Sequence, residues 1–164
     1  MAKDSSFDIV SKFDPQELVN AIDQTKRDLS FRYDFKTSPY EINQEKEHLV
    51  ISAEDDYKMK AIIEILVSKI IGRNLDSRIL DLSLSSEKAG GNTVRKKINL
   101  VQGLSTEKAK EVSKLINTNF KKMKVNIQGE EVRVSSPSKD TLQEIMNFLK
   151  EKDFGVPLQF VNYR

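Results

Sequence analysis

The apolar residues of this chain follow the same series of spacings twice. In each half, alternating apolar residues predict four strands and helically spaced apolar stripes predict two helices, in the order βαββαβ. The predicted elements lie at 6–13, from Asp14 (helix), 39–44, 48–53, 56–72 (helix), 79–84, 94–101, 105–120 (helix), 122–128, 131–136, 138–152 (helix) and 157–163. A single shift along the chain places Leu49 on Val132 and Ile62 on Ile145. The sequence therefore indicates an internal duplication.

Each predicted unit has a sheet that is covered on one side. Every helix carries only one apolar stripe, so both helices of a unit must lie against the same face of its sheet. Four antiparallel strands with two helices on one face form the ferredoxin-like, split βαβ arrangement. We therefore expect an α+β chain of two ferredoxin-like domains, residues 1–88 and 89–164, joined through the polar segment 85–92.

The starts of the predicted helices carry capping residues. Asp14 precedes Pro15, and Ser105 and Ser138 precede the two helices of the second half. These side chains satisfy the free amides of a first helical turn. The acidic triplet 54–56 admits two interpretations, a site for a hard cation such as Mg²⁺ or a helix start that complements the helix dipole. The second interpretation is favoured because a predicted helix begins there.

The composition limits the chemistry. The chain has no cysteine and a single histidine, His48, which excludes a disulfide scaffold, a thiolate nucleophile and a zinc site built on sulfur. His48 has no nucleophile or acidic partner at a motif spacing, and no phosphate-binding glycine loop occurs. No apolar run is long enough for a membrane helix or follows a secretory start. We expect a cytoplasmic protein that is not an enzyme, binds no metal or cofactor and contacts no membrane.

The charge is distributed unevenly along the chain. Residues 1–88 contain 13 basic and 17 acidic residues, whereas residues 89–164 contain 14 basic and 8 acidic residues. A basic second half predicts an anionic partner for that half. The alternative is an ordinary drift of charge along solvated surfaces.

The uncovered face of the second predicted sheet is basic and rich in amides. Alternation places these residues opposite the helices: Arg95, Lys97, Asn99, Lys124, Asn126, Gln128, Arg133 and Gln159. Lys and Arg attract phosphate, and Asn and Gln pair with base edges. The stacking aromatics of RNA-recognition sheets are missing, which favours phosphate contact or binding between the two units. An ordinary solvated sheet face is the alternative.

Several segments resemble one known family. SFDIVS (6–11), RYDFK (32–36), VQG (101–103), IQGEEVRV (127–134), SKDTLQ (138–143) and the terminal PLQFVNYR (157–164) are similar to the YajQ family of bacterial nucleotide-binding proteins, in the same order along nearly the whole chain. The resemblance implies that the two ferredoxin-like domains exchange their first strands. Strand 6–13 would then belong to the second sheet.

The resemblance also implies a function and a set of residues. Members of the family bind nucleotides or RNA without catalysis, and some are described as cyclic di-GMP receptors that act on transcription. The family positions present here are Phe7, Asp8, Arg32, Asp34, Phe35, Gln128, Arg133, Phe160, Asn162 and Arg164. Phe7 and Phe160 are expected in the core, and Asp8 with Arg32 is expected to form a buried or interfacial pair.

The predicted site combines the basic face with these family positions. Lys97, Lys124, Arg133 and Arg164 would supply charge to an anionic nucleotide or RNA, while Asn99, Asn126, Gln128 and Asn162 would supply hydrogen bonds. A regulatory role is expected. The alternative is a protein-interaction adaptor, for example for a transcription regulator, since uncovered sheets and strand edges suit partner docking.

Overall fold

A computed structural model describes residues 4–164 as an α+β protein with two antiparallel sheets and four α-helices. The strands are Ser5–Val10 (β1), Tyr40–Gln44 (β2), His48–Ala53 (β3), Leu80–Asp81 (β4), Glu87–Ala89 (β5), Thr93–Leu100 (β6), Lys124–Gln128 (β7), Glu131–Ser136 (β8) and Gln159–Val161 (β9). The helices are Pro15–Phe31 (α1), Asp56–Gly72 (α2), Thr106–Asn119 (α3) and Lys139–Lys150 (α4). The predicted fold class is confirmed in these terms.

The helices begin where the capping residues predicted. The Gln16 amide donates to Asp14 Oδ1 at 2.9 Å. The Ser105 hydroxyl accepts from the Lys108 amide of α3, and the Ser138 hydroxyl accepts from the Thr141 amide of α4, at 3.2 Å each. Asp55 caps α2 by accepting from the Lys58 amide at 2.7 Å. Each cap satisfies an amide that has no partner within its own helix.

The sheet formed mainly by the C-terminal strands has β1 in its interior. Its strand order is β7-β8-β1-β9, so β1 pairs with both β8 and β9. Phe7 lies opposite Val134, and Ile9 lies opposite Val132 on one side and Phe160 on the other. Backbone hydrogen bonds between Ser6 and Arg164, at 2.9 and 3.1 Å, continue this pairing to the end of the chain.

The other sheet has β6 in its interior. The strand order is β2-β3-β6-β4, and β5 also pairs with β6. Leu49 lies opposite Ile98, and Val50 lies opposite Lys97. Strand β6, which follows the predicted domain boundary between residues 88 and 89, therefore pairs with β3 and β4, which precede that boundary.

The chain divides into two compact units that are not continuous in sequence. Unit 1 contains the residues up to Lys12 together with Gln102–Arg164, and unit 2 contains Phe13–Val101. The predicted ranges 1–88 and 89–164 differ from this division because β1 and β6 each pair with strands of the other half. The first three residues of the predicted first domain lie outside the described part of the chain.

The charge asymmetry between the two units is smaller than that between the two halves of the sequence. Unit 1 contains 13 basic and 10 acidic residues, and unit 2 contains 14 basic and 15 acidic residues. The difference arises because β6 brings Arg95, Lys96 and Lys97 into the unit that holds most of the carboxylates. Unit 1 therefore has a formal net charge of 13 − 10 = +3 and unit 2 one of 14 − 15 = −1.

Each unit has its own apolar core. Unit 2 buries residues of α1 and α2, such as Leu18 and Ile62, against Leu49 and Ile98 of its sheet. The core of unit 1 is built around Phe7, Ile9, Val112, Ile116, Val132, Val134 and Ile145. Phe7 is fully buried and contacts the Phe160 ring edge-to-face, with ring centroids 5.6 Å apart. The expectation that Phe7 is a core residue is confirmed.

The predicted strand 79–84 is wrong beyond Asp81. The edge of the unit 2 sheet consists of two short strands, β4 and β5, and β5 lies within the segment predicted to be a linker. Asp81 lies opposite Asn99, and Glu87 lies opposite Arg95. Residues 82–86, here called the bulge segment, therefore face only residues 96–98, and this mismatch in length makes the edge bulge outward. Leu82 and Leu84 are 41% and 43% exposed instead of facing the core.

Gly103 occupies a position that a side chain would disturb. Its φ is +82°, and a Cβ built there would collide with the carboxylate of Glu130. We expect Gly103→Ala to lower the free energy of unfolding by about 1–2 kcal/mol, since a left-handed residue with Cβ is strained. Urea denaturation would measure this loss.

Gly90 provides the matched control for Gly103. A Cβ at Gly90 would meet nothing within 4 Å, so Gly90→Ala should leave the unfolding free energy within about 0.5 kcal/mol of the wild-type value. Equal stabilities of the two variants would contradict the proposed strain at Gly103.

Candidate functional site

The predicted site residues are divided between the two units. Lys97 and Asn99 lie on β6 in unit 2, whereas Lys124, Asn126, Gln128, Arg133, Asn162 and Arg164 lie in unit 1. The prediction that these residues share one sheet face is therefore wrong, because β6 belongs to a different sheet from β7 and β8.

Arg133 on the open face of unit 1 is held by Asp8. Its Nε donates to Asp8 Oδ1 at 2.8 Å, and its Nη2 donates to Asp8 Oδ2 at 3.3 Å. The Asp8 side chain is 3% exposed and that of Arg133 is 36% exposed. Hydrogen bonding from Arg133 lowers the pKa of Asp8, and a hydrogen bond from Asn162 and the charge of Arg164 act in the same direction against burial. The guanidinium is thus engaged in an intramolecular pair.

Asn162 belongs to the same group. Its Nδ2 donates to Asp8 Oδ2 at 2.9 Å, and its backbone is left-handed, with φ of 55°. Asp8 was predicted to pair with Arg32. Instead, Asp8 pairs with Arg133, and Arg32 donates to the carboxylate of Asp34 from Nε at 3.0 Å and from Nη2 at 2.9 Å. Asp8, Arg133 and Asn162 form a structural cluster that joins three strand segments of unit 1.

The remaining predicted residues of unit 1 are exposed. Lys124, Asn126 and Gln128 follow one face of β7, which is an edge strand. Asn126 lies opposite Arg133, and Gln128 lies opposite Glu131. This surface combines amides with both signs of charge, so its attraction for phosphate is weak.

The open face of unit 2 is more favourable for an anion. Arg95, Lys97 and Asn99 alternate along β6 opposite Ser52, Val50 and His48 of β3. Arg95 and Lys97 are exposed, and within residues 4–164 neither has an ion pair or a side-chain hydrogen bond. Two cations on the same side of one strand are therefore available to a ligand.

A cavity of about 380 Å³ lies beside these two cations. Its walls combine Arg95 and Lys97 with hydroxyls, one carboxylate and aliphatic side chains from Val50, Leu84, Ser85, Ser86 and Glu87. Cations and hydroxyls suit phosphate oxygens, and the aliphatic groups suit one face of a base or sugar. Leu84, Ser85 and Ser86 were not predicted as site residues, because Leu84 fell at the end of a predicted strand and the two serines fell in a predicted linker.

The acidic triplet 54–56 lies at the start of α2. Asp55 caps the helix, and Glu54 accepts a hydrogen bond from the Ser38 hydroxyl at 2.6 Å. Among residues 4–164, no group of three or more His, Asp or Glu side chains is arranged to hold a metal ion. The interpretation as a helix start is confirmed.

In the part of the chain that the structure describes, no helix combines the length and the apolar character needed to cross a membrane.

The fold defines a class, namely α+β proteins of two compact units, each with one antiparallel sheet and two α-helices. A family model described as nucleotide-binding protein YajQ-like matches residues 5–164. The chain therefore belongs to the YajQ family, as the sequence motifs predicted.

Curated relatives agree with this assignment over their whole length. The chain is 48% identical to a nucleotide-binding protein of Acaryochloris marina, 47% identical to one of Synechococcus elongatus and 43% identical to one of Desulfitobacterium hafniense. Each alignment covers 164 residues and 100% of both chains. The names of these relatives refer to nucleotide binding and not to an enzymatic activity.

Proposed function

We propose that this chain is a non-enzymatic nucleotide-binding protein that receives phosphate at Arg95 and Lys97. The observation that carries the proposal is the cavity of about 380 Å³ beside two cations that have no partner among the described residues. The names of the relatives support the same ligand class. A regulatory role, with cyclic di-GMP or RNA as the ligand, is the finer form of this proposal.

Each wall of the cavity has a role in this scheme. Arg95 offers a planar fork that suits a phosphate bidentately, and Lys97 adds a point charge. The hydroxyls of Ser85 and Ser86 donate to phosphate or ribose oxygens, while Val50 and Leu84 contact the base. Asn99, further along β6, lies within the same face and would pair with a base edge.

Unit 1 has its own candidate surface for RNA. Lys124, Asn126, Gln128 and Arg164 are exposed and would contact the backbone or bases of RNA.

We also propose that the units are ferredoxin-like domains that exchange their first strands. The interior positions of β1 and β6 in the two strand orders support this.

The proposal predicts a selective loss of binding in the double variant Arg95→Met, Lys97→Met. We expect its affinity for GTP, cyclic di-GMP or a short single-stranded RNA to fall by about tenfold or more, because two phosphate contacts are lost. Isothermal titration at low and moderate salt measures the affinity. The salt dependence of RNA binding should also become shallower, since fewer counterions are released.

The matched control is the double variant Lys110→Met, Lys114→Met on α3 of unit 1. Both lysines are exposed, and the change in net charge is the same as in the test variant. We expect this control to keep the affinity for the two small nucleotides. Equal losses in the two double variants, or none in either, would refute the assignment to Arg95 and Lys97.

A second candidate is an adaptor that docks to a protein partner such as a transcription regulator. It is favoured by exposed aromatic side chains in unit 2, because Phe31, Tyr33 and Tyr57 are 78%, 87% and 78% exposed. Exposed aromatics are typical of protein-binding surfaces. Absence of binding to all three ligands in the titration above would favour this candidate.

A further inference from the structure

A second and larger cavity lies on the helix side of the unit 2 sheet. Its volume is about 750 Å³, and it separates α2 from the bulge segment. Met59, Ile63 and Val67 form its wall on α2, Leu82 of the bulge segment lies across from them, and Lys96 comes from β6. Cavities of roughly 300–1,000 Å³ with a mainly apolar lining and few polar groups are typical of small-molecule sites.

Lys96 is the unusual member of this wall. Alternation along β6 places Lys96 on the same side as Ile98, which is buried in the core of unit 2. Lys96 is half-buried, and in residues 4–164 it has no ion pair and no side-chain hydrogen bond. A cation at such a position is costly unless an anion or water reaches it. Lys96 thus lines the cavity with a charge that no group among the described residues neutralises.

The other charged groups lie at the exposed rim. Asp56, Lys60 and Glu64 follow one ridge of α2 at intervals of one helical turn, and all three are exposed to solvent. Because the lysine stands between the two carboxylates and water screens all of them, the rim has only a weak field. The charge that an entering group meets beside the apolar wall is that of Lys96.

We propose that this cavity binds a small amphipathic anion. The apolar body of the ligand lies against Met59, Ile63, Val67 and Leu82, and its single carboxylate, phosphate or sulfonate pairs with Lys96. The site is separate from the proposed nucleotide site, since it lies on the other side of the same sheet. Ser85 and Ser86 of the bulge segment line both cavities.

The strand itself provides a matched pair of variants. Lys96 and Lys97 are neighbours in sequence with the same charge, but Lys96 lines the cavity on the helix side and Lys97 lines the one on the open face. Lys96→Met and Lys97→Met therefore make the same chemical change on opposite sides of the sheet. Val67→Phe, at a half-buried position, is a further variant that fills the cavity and leaves Lys96 unchanged.

The test is a fluorescence titration with 8-anilinonaphthalene-1-sulfonate, an aromatic body that carries one sulfonate. The wild-type protein should bind one molecule saturably, and Lys96→Met should bind it about fivefold more weakly because a charge-assisted contact is lost. Val67→Phe should also weaken binding, and Lys97→Met should not change it. Circular dichroism and urea denaturation on each variant ensure that the dye reports a folded protein.

The outcomes separate this proposal from the nucleotide site. Unchanged dye affinity in Lys96→Met, equal losses in the two lysine variants or no saturable binding to the wild-type protein would each overturn it. GTP titration of the same proteins reports independently on Lys97, so either site can fail without the other.

Discussion

Phe7→Ala is expected to lower the free energy of unfolding by about 4 kcal/mol, the range typical of a large aromatic removed from a closed core. Phe7 is fully buried, and it lies on β1, which pairs with strands on both sides. Its ring also contacts Phe160 edge-to-face. The substitution therefore removes contacts in the interior of the unit 1 sheet and leaves a cavity there.

The measurement for Phe7 is equilibrium denaturation in guanidinium chloride, with Phe31→Ala as the control. Phe31 is 78% exposed at the end of α1, so its removal should change the unfolding free energy by less than about 0.5 kcal/mol. A loss below about 1 kcal/mol for Phe7→Ala would contradict the central position of β1.

Asp8→Asn is expected to destabilise the protein by about 2 kcal/mol at neutral pH, because it removes the buried carboxylate charge beside Arg133 and replaces one acceptor oxygen with an NH2 group that faces a donor. Arg133 lowers the pKa of Asp8 below its ordinary value. A carboxyl whose pKa is lower in the folded than in the unfolded state contributes stability that is complete above the unfolded pKa. This contribution disappears as the pH falls through the folded pKa.

The stability difference between the wild-type protein and Asp8→Asn should therefore depend on pH. It should be full at pH 7 and shrink below about pH 4, where the unfolded carboxyl becomes protonated. Urea denaturation between neutral and acidic pH measures it, and Asp23→Asn, at an exposed position on α1, is the matched control. A difference that stays constant down to pH 3 would contradict a role for the Asp8 charge.

Local patterns predicted the elements of this fold but not which sheet each strand joins. Helix starts at Asp14, Ser105 and Ser138 could be predicted because capping depends on a few neighbouring residues. The interior positions of β1 and β6 could not be predicted from alternation, which is the same whichever partner a strand has; for β1, only the family resemblance indicated the second sheet. The predicted strand 79–84 contains β4, whereas β5 was missed because segment 85–92 has no periodicity and was predicted to be a linker.

The candidate site shows the same limit. Alternation placed Arg95 and Lys97 on one side of β6, and both line the cavity on the open face. It could not show that Arg133 is held by Asp8, because the two residues are 125 positions apart and meet only through strand pairing. A cation that attracts ligands and a cation that holds strands together have the same appearance in a sequence.

The bulge segment has two more residues than the stretch of β6 that it faces at the edge of the unit 2 sheet. Residues 82–86 span the same stretch of β6 as residues 96–98, so a deletion of two residues here would let β4 and β5 merge into one regular strand. Pairing in the sheet would improve, while the shared wall of both cavities would be lost. The length of the bulge segment, more than its composition, thus decides whether this edge of the sheet is a regular strand or forms a wall of two cavities.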